Sequence, residues 1–139
     1  MIEKAQLIAL GIIRRDEDVL LIERRKKESG TNHESLNWVF PGGKVESGES
    51  PFASAEREVF EETGYSVQAV NQLDEHQHPS FPAHIHYIAC RLAESTPQAV
   101  DDSGVMQVKW IPIAKLGIYI TSSLNEHVSE YLTAQNFEI

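Results

Sequence analysis

A single cysteine, Cys90, is all the thiol chemistry in this 139-residue chain. One thiol cannot close an internal disulfide, which argues against a stapled secreted scaffold and suits a reducing, cytoplasmic setting. Long apolar runs are missing too. No segment approaches the roughly 20 residues that a membrane helix needs. The apolar stretch near the N-terminus is too short for a signal sequence with its cleavage site. Positive charge is scarce: 12 Lys and Arg stand against 21 Asp and Glu, a net of −9. A nucleic-acid polymer wants a basic face, so this balance argues against such a partner. An anionic small substrate remains compatible if metal ions and a few local cations offset the field. Low-complexity tracts and internal repeats are absent, and the length suits one domain, residues 1–139, with a core that needs no staples.

What the chain does have is concentrated in Gly43 to Tyr65, GKVESGESPFASAEREVFEETGY. Ser50 stands where an N-cap belongs and Pro51 suits the first helical position, where an N–H would have no partner anyway. Good helix formers follow to Thr63, and Gly64 is a natural stop. Phe52, Ala55 and Val59 make an apolar stripe at helical spacing. Glu58, Glu61 and Glu62, at i, i+3 and i+4, stack on a neighbouring face, where like charges repel without a counter-ion. A solvated acidic face is the plainer alternative. Against it, Arg57 is too little base for so much acid, and the Gly42-Gly43 turn lets the backbone approach a ligand closely. Carboxylates plus a turn carbonyl are the donors a hard divalent cation takes, Mg2+ above all.

These residues resemble the Nudix box, G-x5-E-x7-R-E-U-x-E-E-x-G-U, with U a bulky apolar residue. Gly43, Glu49, Arg57, Glu58, Glu61, Glu62 and Gly64 fill its fixed positions, Val59 its first U, and Tyr65 its last U, where an aliphatic residue is usual. The lead-in Trp38-Val39-Phe40-Pro41-Gly42-Gly43 is similar to the family's W-x-F/L-P-G-G, and the likeness extends over nearly the whole chain. The resemblance implies an α/β Nudix fold, an α/β/α sandwich around a mixed β-sheet. It implies hydrolysis of a nucleoside diphosphate linked to another moiety, with Mg2+, or alternatively Mn2+, as cofactor. Glu61 and Glu62 are then metal ligands, Glu58 is metal ligand or general base, and Gly43 offers its carbonyl. Arg57 orients a carboxylate, and Glu49 supports the loop.

Along the chain, Leu7 to Ile13 and Val19 to Ile22 read as a strand hairpin, the second strand running into Arg24-Arg25-Lys26-Lys27. That cluster is either a solvated strand end or a phosphate contact. A guanidinium fork suits phosphate, and similarity to Nudix sequences points to Arg24. Glu28 to Asn37 reads as a loop beside the catalytic turn. Trp38 is a candidate for substrate contact or for core packing.

Tyr65 to Val70 is expected to be a strand, followed by a histidine-rich segment. With residues 79 to 83 as a hairpin turn, His78 faces His84 and His76 faces His86, placing all four imidazoles on one face. That pattern suits zinc or another transition metal; a polar sheet face bordering the cleft is the alternative. Further strands are expected over Ile85 to Leu92 and Val105 to Trp110, with a polar linker from Glu94 to Gly104 between them. Ile113 to Leu116 reads as a short turn of helix, and a final helix is expected from Leu124 to Gln135, capped by Ser122 or Ser123.

The family often carries an acid shortly before its late tryptophan, but Gln107 stands there, leaving Asp101 and Asp102 as substitutes. Leu124-Asn125-Glu126-His127-Val128 is similar to the N-E-x-V stretch of MutT-type members, whose asparagine reads a purine base, so Asn125 is a candidate base reader. Pro79 lies roughly where ADP-ribose-cleaving members carry a proline. The expectation is a small-molecule nucleotide substrate, most simply a (deoxy)nucleoside triphosphate, handled by a monomer or homodimer. ADP-ribose, a dinucleoside polyphosphate, or a non-catalytic nucleotide sensor are the alternatives.

Overall fold

Ser50 begins the helix that organises the fold. In the computed structural model, which describes residues 6–27, 34–79 and 81–134, Ser50 has extended backbone and its hydroxyl accepts from Ala53 N at 3.1 Å. Helix α1 (Pro51–Thr63) runs from there to Gly64, whose φ of 81° is the left-handed stop that glycine adopts without a Cβ penalty. Its buried face is Ser54, Ala55, Val59, Glu62 and Thr63. Phe52, expected on that stripe, is exposed instead. A carboxylate, Glu62, takes a place on the inner face that apolar periodicity cannot anticipate.

Strands β1 (Gln6–Arg15) and β2 (Asp18–Lys27) meet in a hairpin, with Arg14 opposite Val19. Strand β3 (Glu34–Val39) pairs antiparallel with β2, so the expected loop over Glu28 to Asn37 is strand from Glu34; residues 28–33 lie outside the described residues. An edge strand is held by backbone bonds to one neighbour, so its polar composition was no obstacle. Strand β4 (Gly42–Lys44) pairs antiparallel with β1, and β6 (Ala83–Leu92) pairs parallel with β1, making the sheet mixed. With β5 (Val67–Gln77) and β7 (Val105–Pro112), the described strands form a seven-stranded sheet in the order β3-β2-β1-β6-β5, with β4 on β1 and β7 on β2.

Two cores cover its two faces. Ala9, Ile13, Leu20, Ile88 and Cys90 bury against Ala55 and Val59 of α1. Ile12, Val19, Leu21 and Ile111 bury against Leu116, Val128 and Leu132, which come from α2 (Leu116–Tyr119) and α3 (Glu126–Thr133). This is the expected sandwich. Tyr65, the unusual aromatic at the end of the α1 segment, is 8% exposed; its ring packs edge-on to Trp110 and its hydroxyl accepts from Trp110 Nε1 at 2.9 Å. An aliphatic residue could not make that bond.

Three boundaries differ from expectation. Strand β5 starts after the Gly64 turn and continues to Gln77 through two irregularities in its pairing with β6. Helix α3 starts later than Leu124, and its N-cap is Asn125 rather than Ser122 or Ser123; the proposed end at Gln135 lies outside the described residues. The third is the histidine register. His84 faces Gln77 and His86 faces Glu75, so the last facing pair is Gln77 and His84 rather than His78 and His84, one residue more between the paired strands than expected. A slip of one residue flips every side chain of a strand. His76 therefore points to the opposite face, beside Tyr87, while His78 Nδ1 accepts from Phe81 N at 3.2 Å.

Candidate active site

The Gly42-Gly43 segment of β4 runs beside α1, and the two together position the acids. Gly42 N donates to Glu62 Oε1 at 2.7 Å, and Arg24, projecting from β2, brings its guanidinium to 3.6 Å from Glu62 Oε2. Glu62 is 4% exposed. Burial pushes its pKa up to about 8, with Asp102 and Glu58 adding to the rise against the Gly42 amide and Arg24. Glu58 lies directly against Gly43: a Cβ there would stand 2.8 to 2.9 Å from its carboxylate. Glycine at this point is therefore a matter of space. Burial also raises the Glu58 pKa, against the pull of Arg57.

Arg57 ties the remaining acids together. Its Nε and Nη2 donate to the two oxygens of Glu49 at 2.7 and 3.0 Å, a bidentate pair of the strong kind. Nη1 donates to Glu58 Oε1 at 3.0 Å and Glu61 Oε2 at 3.2 Å, and Nη2 donates to the Lys44 carbonyl at 3.2 Å. The guanidinium holds the Glu49 pKa down at about 2, and the Arg57 pKa is raised in turn. Glu49 also accepts from Glu46 N at 3.1 Å, which closes the loop ahead of α1.

The fold thus gathers Arg24, Gly43, Glu49, Arg57, Glu58, Glu61 and Glu62 into one place. The donors are oxygen only, the Gly43 backbone is open to close approach, and burial raises the pKa of one carboxylate, Glu62. That set fits a hard divalent cation, with Glu58, Glu61, Glu62 and the Gly43 carbonyl as the residues able to hold it. Asp101 and Asp102 are carried to the same region. They line a cavity of about 320 Å3 with Glu62, because the linker docks on the end of α1 through Gln98 N donating to Gly64 O at 2.8 Å. Gln107 is spent on Glu23, donating to its carboxylate at 3.0 Å.

Trp38 and Asn125 are not among these acids. They line a separate cavity of about 160 Å3 together with Leu10, Phe40 and Tyr87. Trp38 packs edge-on to Tyr119, ring centres 5.4 Å apart. Asn125 caps α3, its Oδ1 accepting from His127 N and Val128 N at 2.9 and 3.1 Å, while its Nδ2 donates to Asp74 Oδ2 at 2.9 Å. Asp74, Tyr87 and Tyr119 were not singled out in the sequence; Asp74 lies in the part of β5 beyond the expected strand end.

Among the described residues, the group of His, Cys, Asp and Glu whose ligand atoms lie within 4.8 Å of one another is Glu75, His84 and His86. The α1 carboxylates do not belong to that group. No helix among the described residues is long and apolar enough to cross a membrane.

A family model described as the NUDIX domain matches residues 5–132. The chain is 23% identical over 120 residues to a putative 8-oxo-dGTP diphosphatase of Bacillus subtilis (strain 168), covering 86% of this chain and 74% of that protein. It is 41% identical over 61 residues to the 8-oxo-dGTP diphosphatase of Escherichia coli (strain K12), but this spans only 44% of the chain and 45% of that relative. An ADP-ribose pyrophosphatase structure from Streptococcus suis superposes with a TM-score of 0.67 over 97% of both chains, at 18% identity. At that identity the likeness is one of fold.

Proposed function

This chain belongs to the Nudix hydrolase superfamily, and on that premise we propose that it cleaves the pyrophosphate link of a nucleoside diphosphate joined to a further group. The substrate class we infer is a (deoxy)nucleoside triphosphate, oxidised purine forms included, converted to monophosphate and pyrophosphate. The relatives named for 8-oxo-dGTP favour that class. The observation that carries the reading is the Glu58 carboxylate set against Gly43 and tethered by Arg57.

When bound, Mg2+ supplies charge neutralisation for the phosphates and lowers the cost of the anionic transition state. The chain's own residues do the rest. Arg57 fixes the rotamers of Glu58 and Glu61, so neither carboxylate must be ordered at the moment of reaction. Glu58, with its pKa raised, accepts the proton of the attacking water; a base is most effective when its pKa approaches working pH. Water oxygen bonds to phosphorus, the anhydride P–O bond breaks, and its electron pair leaves with the departing phosphate. Arg24, 43% exposed beside Glu62, meets a phosphate oxygen at the mouth of the site. The base and sugar enter the cavity bounded by Trp38 and Asn125.

A substrate panel with Mg2+ tests the reading, with pyrophosphate, phosphate and monophosphate measured for each compound. Turnover of triphosphates with pyrophosphate release supports it. Turnover confined to ADP-ribose or dinucleoside polyphosphates moves the substrate class. Tight binding without turnover across the panel makes the protein a sensor.

A further inference from the structure

The hydrolytic reading leaves unused the ends of β5 and β6 that approach their connecting turn. Alternation along β6 puts His84 and His86 on the same face as Ile88 and Cys90, which bury beneath α1. Cover fades along that face: the His86 and His84 side chains keep 12% and 29% of their surface. Glu75 stands directly across the ladder from His86. Its carboxylate serves both rings, Oε1 lying 3.3 Å from His84 Nε2 and Oε2 lying 3.2 Å from His86 Nδ1. Gln72 backs the group, its Nε2 donating to Glu75 Oε2 at 2.9 Å and its Oε1 lying 2.7 Å from His86 Nδ1.

We propose that Glu75, His84 and His86 form a second cation site, taking a borderline transition-metal ion such as Zn2+ through two imidazoles and a carboxylate. One ligand atom from each of the three residues lies within 4.8 Å of the other two, and each ring nitrogen approaches its own Glu75 oxygen near the spacing such an ion sets. Donors about 2.1 Å from a tetrahedral ion stand about 3.4 Å from each other, and the two N···O distances here are 3.3 and 3.2 Å. Binding draws the two ring nitrogens and one Glu75 oxygen together around the ion, with Gln72 Oε1 yielding its place on His86 Nδ1. The Gln72 amide remains on Glu75 as the outer partner that orients a ligating carboxylate. Three protein donors leave a fourth position for water. The donor set also separates this site from the α1 acids: imidazole nitrogen favours zinc-like ions, whereas oxygen-only carboxylates favour magnesium. Two ligands on one strand and one on its neighbour mean that the ion clamps β5 to β6 beside their turn. The competing state is a hydrogen-bonded cluster that binds no ion.

The test uses the full chain in excess Mg2+, so that the α1 acids are occupied, and does not depend on the hydrolytic reading. Zn2+ is titrated while imidazole nitrogens are followed by NMR and heat by calorimetry. The expected result is one equivalent that moves the His84 and His86 signals ahead of those of His76 and His127. His84→Ala and Glu75→Gln weaken that binding by at least about tenfold, without changing Mg2+-dependent turnover. Zn2+ raises the Tm of the parent protein and not that of His84→Ala. The proposal is overturned if His84 and His86 stay unmoved after one equivalent, or if both variants bind Zn2+ as the parent does.

Discussion

The backbone N–H of Gly42 donates to Glu62 Oε1 across 2.7 Å in the interior, yet burial holds the Glu62 pKa near 8 against an ordinary 4.5. Between those two values the unfolded chain has released a proton that the folded protein keeps. Rising pH therefore costs stability through this window, and the cost is complete above about 8. Glu62→Gln keeps an acceptor for Gly42 and removes the titration. Urea midpoints in chelator should show the variant gaining on the parent as pH rises from 5 to 8.5 (about the span of the shift). Parallel pH profiles would contradict the shift. Mg2+ affinity of the parent should also climb over the same range, since a ligand must lose its proton to bind.

Adjacent glycines should respond differently to the same methyl group. A Cβ on Gly43 meets only the far end of Glu58, which can swing aside, so Gly43→Ala should fold with near-parental Tm and lose turnover. A Cβ on Gly42 meets the Ala9 carbonyl and the Leu10 backbone, neither of which can yield, so Gly42→Ala should lower Tm. Melting curves and turnover for the pair check this; full activity in Gly43→Ala would remove Glu58 from its place against the turn.

Arg57→Lys separates charge from geometry. An ammonium cannot grip Glu49 with two bonds and reach Glu58 and Glu61 as well. Turnover should fall by about 10²-fold, the scale of a small misplacement of a catalytic group. The Glu49 pKa, held at about 2 by the guanidinium, should rise. The stability that Glu49 contributes is present above its ordinary 4.5 and lost as pH falls towards 2, so the variant should also lose part of it. Carboxyl NMR titration reads the shift, and an unmoved Glu49 would contradict the tether.

Asn125 has two jobs to tell apart. As the N-cap of α3, its loss in Asn125→Ala should cost about 1 kcal/mol. Asn125→Ser keeps a capping oxygen but loses the amide and its bond to Asp74. If the asparagine also reads the base, Asn125→Ser should raise KM for purine triphosphates at nearly parental stability. Unchanged KM in that variant would leave Asn125 as a cap alone.

Much of the site was legible because its residues are contiguous. Ser50, Pro51 and Gly64 fix the ends of α1, and helical spacing alone stacks Glu58, Glu61 and Glu62. Long-range partners were not legible. Nothing local says that Arg24 reaches Glu62, or that Asn125 is answered by Asp74, 51 residues earlier in the sequence. The histidines show the same limit more sharply. Their alternation was visible, but one residue of turn length took His76 off the face that His84 and His86 share and brought in Glu75, an acid with no signature of its own.

Release of monophosphate and pyrophosphate from 8-oxo-dGTP and unmodified triphosphates in Mg2+, by parent protein and Glu61→Gln, tests the proposed activity most directly. The expected result is metal-dependent pyrophosphate release by the parent and a loss of about 10² to 10⁴-fold or more in the variant. Parental turnover in Glu61→Gln, or no turnover of any nucleoside diphosphate derivative by the parent, would contradict it.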